Sequence, residues 1–355
     1  MSLLMFAAGL VLLVLGADVL VRGASRLSLS LGISPLVVGL TVVAFGTSAP
    51  ELAVSLQGAV SGQGDIAVGN VVGSNIFNVL VILGLSAMIT PLVVHRQIVR
   101  KEVPIMIGAC LLMWVLSLDG ALGRLDGLLL TSLLVVYVGT LYWQSRGAPA
   151  EEQGGELPEG GPWLDRTWVQ LLMIAVGLAL LVLGSRWLVA AAIDFAQRLG
   201  ISELVVGLTI VAAGTSLPEV ATSVIAALKG QRDIAVGNVV GSSIFNILAV
   251  LGLTVLVAPG DITVAASALR FDIPIMIAVA AACLPVMFHG YRIERWEGVF
   301  FFLFYVAYTA WLVMYAQEHA LLDEYRTAMV YGVLPLTALT LFVMAWRGWQ
   351  LRHTR

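Results

Sequence analysis

The feature that most constrains this chain is a segment that occurs twice. The stretch from Gly32 to Pro91 recurs from Gly200 to Pro259 at an offset of 168 residues, with about 39 of 60 positions identical and no gap. Each copy contains the motif GTSxPE followed, after the same interval, by GNVVGSxIFN. Repeated apolar segments that Gly, Pro and a charged residue interrupt at matching points are typical of binding sites in membrane transporters.

The composition indicates a membrane protein. Hydrophobic residues make up 59% of the chain and charged residues 12%, with a mean hydropathy of +0.97, whereas globular domains carry about 45–50% and 25%. The net charge of −3, without a basic cluster, gives no reason to expect nucleic-acid binding. Both cysteines lie in apolar runs, so no disulfide framework is expected. The lipid bilayer is the expected surrounding, and no protein partner is implied.

Eleven apolar segments long enough to cross a bilayer follow one another along the chain. Five fall in residues 1–144 (the first unit), five in residues 167–317 (the second unit), and one in residues 318–355, which end in a basic tail. The repeated motifs at 32–91 and 200–259 take matching places in the two units. Residues 145–166 are rich in Gly, Pro and Glu, which predicts a solvated cytoplasmic linker. We therefore predict an all-α membrane protein, an inverted repeat of two five-helix units with one extra C-terminal transmembrane helix.

The distribution of Lys and Arg predicts the orientation of the chain. With the N-terminus outside, about 14 of the 19 basic residues fall on the inner side. Because each unit has an odd number of spans, the two units then have opposite orientations in the membrane, as in many secondary transporters. The apolar N-terminus lacks a basic n-region and is predicted to be a retained first helix. We predict a multi-pass protein of the cell (inner) membrane with its C-terminus inside.

The repeated motifs gather oxygen atoms. Thr47 and Ser48 precede Glu51 by four and three residues, so the three side chains can share one helix face. Pro50 lacks a backbone N–H and clashes with the preceding turn, which predicts unpartnered carbonyls near Ala44 and Gly46. Serine and asparagine at i, i+4 in the following helix add neutral oxygens. The predicted metal ligands are Ala44, Thr47, Ser48, Glu51, Ser74 and Asn78, with their second-copy counterparts Ala212, Thr215, Ser216, Glu219, Ser242 and Asn246.

This all-oxygen set predicts a site for hard cations. Ca²⁺ takes six to eight oxygen ligands, whereas softer metals prefer imidazole or thiolate. The two glutamates give a formal charge of −2, which one Ca²⁺ or two Na⁺ neutralise. An intramembrane carboxylate costs about 2.5–3.5 kcal/mol, and two close together repel each other. A site that is costly to leave empty favours the exchange of one set of ions for the other.

At these residues the chain resembles the Ca²⁺/cation antiporter superfamily, and most closely the prokaryotic sodium/calcium exchangers with their paired GTSxPE and GNxxGSNxxN motifs. The resemblance implies alternating-access exchange of Ca²⁺ for Na⁺, in the direction of Ca²⁺ export, without a cofactor or an enzymatic activity. It implies Ca²⁺ between Glu51 and Glu219, helped by the Thr47 and Thr215 carbonyls, with Asn78 and Asn246 at the middle. It also implies flanking Na⁺ sites at Ala44, Ser48, Ser74, Ala212, Ser216 and Ser242.

The ion that drives exchange stays open at this point. Many members of the superfamily carry Asp where this chain has Asn246, so the site lacks a titratable or K⁺-recruiting group at that position. A Ca²⁺/H⁺ or other cation/H⁺ antiporter on the same scaffold is the alternative. A passive cation channel or an intramembrane enzyme would be a different class of protein. The sequence contains neither an HExxH nor a GxSxG motif, and one site between two inverted halves suits alternating access better than a symmetric pore. The sequence gives the eleventh helix no role.

Overall fold

The structure is a computed structural model that describes residues 2–145, 164, 166–198, 212–288 and 290–353. Most of the predicted linker and the first part of the second motif, residues 200–211, lie outside the described residues. The described chain is mostly helical, with short π-helical segments and four two-residue strands.

The first unit contains helices on both sides of two short strands. A bent pair of helices follows the first long helix, and the strands flank the seventh helix. The elements are α1 (Ser2–Leu31), α2 (Pro35–Val38), π1 (Gly39–Val43), α3 (Ala44–Thr47), α4 (Ala49–Val60), α5 (Gly64–Phe77), π2 (Asn78–Leu83), α6 (Gly84–Ile89), β1 (Leu92–Val93), π3 (Ile98–Glu102), α7 (Val103–Leu116), β2 (Ala121–Leu122) and α8 (Arg124–Ser145).

The second unit repeats this order, and the helices of its motif begin 168 residues after their counterparts. A final helical segment, which contains a short π-helical turn, follows it. The elements are α9 (Thr167–Arg198), α10 (Ala212–Gly214), α11 (Leu217–Leu228), α12 (Arg232–Phe245), π4 (Asn246–Leu251), α13 (Gly252–Val257), β3 (Ile262–Thr263), π5 (Ala268–Asp272), α14 (Ile273–Phe288), β4 (Arg292–Ile293), α15 (Arg295–Ala316), α16 (Leu322–Ala328), π6 (Met329–Val333) and α17 (Leu334–His353).

Within the described ranges, eight helices are long and apolar enough to cross a membrane, or nine if one bent pair counts as a single span. Two of the eleven predicted spans are not among them. The span predicted at 103–118 is the 14-residue helix α7, and the span predicted at 203–228 is described only from residue 212 onwards. The chain is therefore a multi-pass membrane protein, with eight or nine candidate spans among its described residues.

The helix of the first motif is broken just before Pro50. The helical segments Pro35–Thr47 and Ala49–Val60 meet at an angle of 42°, and Pro50 lies in the first turn of α4. Proline is tolerated there because the first N–H groups of a helix have no intrahelical partner. The second copy places Pro218 in the first turn of α11 in the same way. Each motif glutamate consequently lies in the first turn of a helix, where the helix dipole stabilises negative charge.

Two small antiparallel sheets join the units. Strand β1 pairs with β4, and β2 pairs with β3. Strands β1 and β3 precede the fourth span of their own unit, whereas β2 and β4 follow it. Each sheet thus connects the loop before one unit's fourth span with the loop after the other unit's fourth span.

The motif helices form the buried centre of the molecule. In the most apolar part of the continuous helical segments Gly64–Ile89 and Arg232–Val257, 78% and 89% of the residues are buried. The corresponding share in Arg295–Ala316 is 6%. Gly241 allows α12 to approach the first unit closely, because a Cβ atom there would lie 2.8 Å from the Ala44 Cβ and from the Leu40 carbonyl. This close approach brings the second motif helix of one copy against the broken helix of the other.

The extra C-terminal helix lies at the periphery. It packs against α14, and the Tyr325 hydroxyl donates to the Ala307 carbonyl on α15 at 2.8 Å. Its span, Leu322–Met344, is only 6% buried. Met344, at 9% exposure, is its only buried side chain among the described residues.

Candidate cation-binding site

The two motif glutamates lie at the centre of the molecule, and each contacts a serine of the opposite copy. Glu51 and Glu219 are 0% and 1% exposed. The Ser216 hydroxyl donates to Glu51 Oε1 at 3.0 Å, and the Ser48 hydroxyl contacts Glu219 Oε1 at 3.4 Å. The structure thus brings the two copies of GTSxPE together at one place.

An asparagine behind each glutamate holds its helix in position. Asn70 Nδ2 donates to the Glu51 backbone carbonyl at 3.1 Å and to the Ser55 hydroxyl at 3.0 Å. Asn238 makes the same two contacts in the second copy, with Ser223 as the hydroxyl partner at 2.9 Å. Sequence reasoning missed these four residues as site residues. The signal was present, because the asparagine is the second letter of the repeated GNVVGS motif.

The two motif threonines turn their hydroxyls toward these asparagines. Thr47 Oγ1 donates to Asn238 Oδ1 at 3.1 Å, and Thr215 Oγ1 lies 3.5 Å from Asn70 Oδ1. Thr47 is fully buried and Thr215 is half-buried. Each threonine therefore links its own broken helix to the second motif helix of the other copy.

The predicted serines of the GNVVGSxIFN motifs, Ser74 and Ser242, lie next to residues of the GTSxPE motifs. Ser74 Oγ is 3.3 Å from Ser216 Oγ, so it adjoins the Glu51 contact. Ser242 Oγ is 3.4 Å from Thr47 Oγ1 and 3.4 Å from the Ala44 carbonyl. One cluster of hydroxyl oxygens therefore lies beside Glu51. A second cluster, of hydroxyl and carbonyl oxygens, lies beside the helix break of the first copy, next to Thr47.

The expectation that Pro50 frees carbonyls near Ala44 and Gly46 is wrong for Ala44. That carbonyl accepts the Ser48 N–H at 3.1 Å. The reason is the helical register: an α-helical carbonyl pairs with the N–H four residues later, so a proline at 50 removes the partner of Gly46. Ala212, the counterpart of Ala44, begins α10, and its side chain is outside the described residues.

The central asparagines begin the two π-helical segments that follow the motif helices. Asn78 and Asn246 are each 1% exposed. Asn246 Nδ2 donates to Asn75 Oδ1 at 3.1 Å, and Asn78 Nδ2 lies 3.5 Å from the Ser243 hydroxyl. Single-turn π-helical segments inside α-helices occur frequently at functional sites.

Four buried oxygen atoms of this site have no hydrogen-bond partner among the described residues: Oε2 of Glu51, Oε2 of Glu219, Oδ1 of Asn78 and Oδ1 of Asn246. They form two matched pairs, one atom of each pair from each copy. Buried polar atoms are almost always paired, and carboxylate and amide oxygens are the ligands that a hard cation takes. Among the described residues, neither motif glutamate forms an ion pair with a basic side chain, whereas Asp18 and Glu294 do.

The donor set suits hard cations. In the described part of the chain, no three His, Cys, Asp or Glu side chains come together. A cation at this site would therefore rely on two carboxylates and on neutral amide, hydroxyl and carbonyl oxygens. Such sets suit Ca²⁺ or Na⁺ rather than the metals that prefer nitrogen or sulfur.

Known proteins share both the sequence and the fold. Residues 1–143 and 169–314 match a protein family described as sodium/calcium exchanger protein. The inner membrane protein YrbG of Escherichia coli (strain K12) is 39% identical over 283 residues, which cover 78% of this chain and 86% of YrbG. The sodium/calcium exchanger MaX1 of Methanosarcina acetivorans is 35% identical over 346 residues, which cover 86% of this chain and 97% of MaX1.

A solved structure extends this likeness to three dimensions. The sodium-calcium exchanger NCX_Mj, soaked with 10 mM Na⁺ and 10 mM Sr²⁺, superposes with a TM-score of 0.74 at 29% identity. The match covers 87% of this chain and 97% of NCX_Mj. The family match leaves out residues 144–168 and everything after 314, which are the linker region and the extra helix.

Proposed function

This chain belongs to the sodium/calcium exchanger family, whose named members are ion transporters rather than enzymes, and we propose that it exchanges Ca²⁺ for Na⁺ by alternating access. The observation that carries this proposal is the set of four buried, unpartnered oxygens on Glu51, Glu219, Asn78 and Asn246. Net export of Ca²⁺ is the proposed direction, because Na⁺ entry can supply the free energy.

Electrostatics explains why such a site exchanges ions. One Ca²⁺ or two Na⁺ neutralise the two carboxylates, whereas an empty site leaves two like charges buried together without a basic partner. Burial in apolar surroundings makes an uncompensated charge costly. The transition between the outward-open and inward-open states therefore has a low free-energy cost only when one set of ions is bound. This requirement couples the movement of Ca²⁺ to the movement of Na⁺.

The proposed ligands fall into two groups. Ca²⁺ lies between Glu51 and Glu219, with the Thr47 and Thr215 carbonyls, and Asn78 and Asn246 face the middle of the site. Na⁺ occupies flanking positions at Ala44, Ser48, Ser74, Ala212, Ser216 and Ser242. The contacts of Ser216 with Glu51 and Ser74, and of Ser242 with Thr47, support two flanking clusters that draw on both copies.

We further propose that the two five-helix units are inverted relative to each other and form a ten-helix core. A helix that crosses the membrane places the loops before and after it on opposite faces. The two sheets join the loop before one unit's fourth span to the loop after the other's. If α7 and α14 both cross, this pairing requires the units to have opposite orientations. Inverted halves around a midplane site are the architecture that alternating access uses.

The proposed location is the inner membrane, as the name of YrbG states for that relative, with the N-terminus outside and the C-terminus inside. Single cysteines in residues 145–166, on a background without Cys110 and Cys283, are expected to resist an impermeant thiol reagent in intact cells and to react after the membrane is permeabilised. Labelling of the linker in intact cells would overturn this orientation.

The function is tested by Ca²⁺ flux in proteoliposomes. Vesicles loaded with Na⁺ and diluted into Na⁺-free buffer are expected to accumulate Ca²⁺, and dissipation of the Na⁺ gradient is expected to stop uptake. Uptake driven by a proton gradient without Na⁺ would favour a cation/H⁺ antiporter instead. Uptake that needs no opposing gradient would indicate a channel.

A further inference from the structure

The ten-residue motif Gly69–Asn78 differs from its second copy at one position only, which is Asn75 in the first copy and Ser243 in the second. These two buried residues contact each other across the interface between the copies, where Asn75 Nδ2 donates to the Ser243 backbone carbonyl at 3.1 Å. Each of them also contacts the central asparagine of the opposite copy. We infer that Asn75 and Ser243 are positioning residues that turn the amide oxygens of Asn246 and Asn78 toward the transported cation.

The orientation of Asn246 follows from hydrogen-bond direction alone. A backbone carbonyl can only accept, so Asn75 must present its NH₂ group to the Ser243 carbonyl. The Asn75 Oδ1 atom then faces Asn246, and because it too can only accept, Asn246 must present its own NH₂ group at 3.1 Å. The remaining atom, Asn246 Oδ1, is one of the four unpartnered oxygens.

The orientation of Asn78 is set by a different relay. The Ser243 hydroxyl donates its hydrogen to the Val239 carbonyl at 2.9 Å. Its oxygen is then left as an acceptor, and Asn78 Nδ2 lies 3.5 Å from it. Asn78 Oδ1 is consequently left without a protein donor. This contact is longer than the Asn75–Asn246 contact, and a hydroxyl can rotate, so Asn78 is held less firmly than Asn246.

These relays matter because an amide has two unlike ends. Its oxygen binds a cation, whereas its NH₂ group carries partial positive charge and repels one. A central asparagine that turned over would replace a ligand with a repulsive group at a site of net charge −2. The inference rests on the proposed function, because it assumes that the site binds cations.

The first test is the variant Asn75→Ser, with Ca²⁺ binding measured on the purified protein by calorimetry and exchange measured in proteoliposomes. Loss of the Asn246 relay is expected to raise the Ca²⁺ dissociation constant by up to about tenfold, the upper end of the effect of one hydrogen bond between neutral groups. The maximal exchange rate at saturating Ca²⁺ is expected to change much less. A merely structural defect would lower the amount of folded protein without this selective loss of affinity.

A pair of background variants tests which asparagine each residue positions. Asn75→Ser is expected to have no further effect on Ca²⁺ affinity when Asn246 is already Ala, but to keep its effect when Asn78 is Ala. Ser243→Ala retains the backbone carbonyl that anchors Asn75. It is therefore expected to have no further effect on Ca²⁺ affinity when Asn78 is already Ala, but to keep its effect when Asn246 is Ala. Equal effects of either variant in both backgrounds would show that no such relay exists.

The double variant Asn75→Ser/Ser243→Asn exchanges the two residues and keeps the test decisive if Asn75→Ser alone folds poorly. Because the two copies are approximately symmetric, the new asparagine at position 243 can position Asn78, and the new serine at position 75 can position Asn246. The Ca²⁺ affinity is therefore expected to return to within about threefold of wild type. Wild-type affinity in Asn75→Ser, or no recovery in the exchanged variant, contradicts the positioning role while leaving the proposed function intact. A wild-type protein that neither binds nor exchanges cations refutes the proposed function itself, and the positioning role with it.

Discussion

Replacing either Glu51 or Glu219 with Gln is expected to abolish Ca²⁺ exchange. The substitution preserves side-chain volume and removes half of the formal charge of the site, and it also places an NH₂ group where an unpartnered oxygen now lies. At an effective dielectric constant of about 20, two unit charges about 4 Å apart interact by about 4 kcal/mol. Loss of one such interaction corresponds to about a thousandfold in affinity. Na⁺-dependent Ca²⁺ flux in proteoliposomes measures the loss.

Glu102→Gln is the matched control for this prediction. Glu102 is also buried, at 1% exposure, but both of its carboxylate oxygens already have donors. Gln97 Nε2 donates to Oε1 at 2.8 Å, and the Tyr137 hydroxyl donates to Oε2 at 2.9 Å. The control is expected to retain most of the flux. Flux near the wild-type rate in Glu51→Gln or Glu219→Gln would remove both glutamates from the ion site.

Much of the centre of the molecule could be predicted from the repeat. The interruption of an apolar stretch by Pro50 gives the position of the break, because proline in a helix interior has a known steric cost. The duplication predicts that whatever the first copy builds, the second builds again. The matched elements α5 and α12, each followed by a π-helical segment that begins at the central asparagine, meet that expectation.

The contacts between copies could not be predicted in the same way. Periodicity indicates which residues share a helix face, but not which helix of the other unit lies opposite. Thr47 shares a sequence motif with Glu51, yet its hydroxyl donates to Asn238, 191 residues away. Strands of two residues have no alternating pattern to recognise, so the sheets that join the units left no signal either. The Ala44 carbonyl was misjudged because the register of the break, rather than its presence, decides which carbonyl loses its partner.

The second prediction concerns an added carboxylate at the middle of the site. From the repeat alone, Asn78→Asp and Asn246→Asp are expected to behave alike, because each adds a third acid beside Glu51 and Glu219. Three carboxylates around one cavity repel one another, so exchange should depend more steeply on pH. The structure places unlike neighbours beside the two positions, and we therefore expect unlike results.

Asn78→Asp is expected to ionise and Asn246→Asp to remain protonated. The Ser243 hydroxyl beside position 78 can rotate away from Val239 and donate to a carboxylate. Position 246 instead faces Asn75 Oδ1, a fixed acceptor, so an acid there needs a proton on the oxygen that faces it. The Asn78 variant carries the third charge at high pH and loses it as pH falls, which steepens the pH profile and alters selectivity between Na⁺ and K⁺.

The measurement is Ca²⁺ flux against pH under Na⁺ and under K⁺ gradients, for wild type and both variants. Asn246→Asp is expected to follow the wild-type profile, and Asn78→Asp to depart from it. Adding Asn75→Ser to Asn246→Asp removes the fixed acceptor, so that double variant is expected to become pH-dependent as well. Equal steepening in both single variants would show that their neighbours do not control ionisation. Wild-type profiles in all three would mean that the two asparagines do not border the ions, because an ionised third carboxylate beside two others must change the pH dependence of the site.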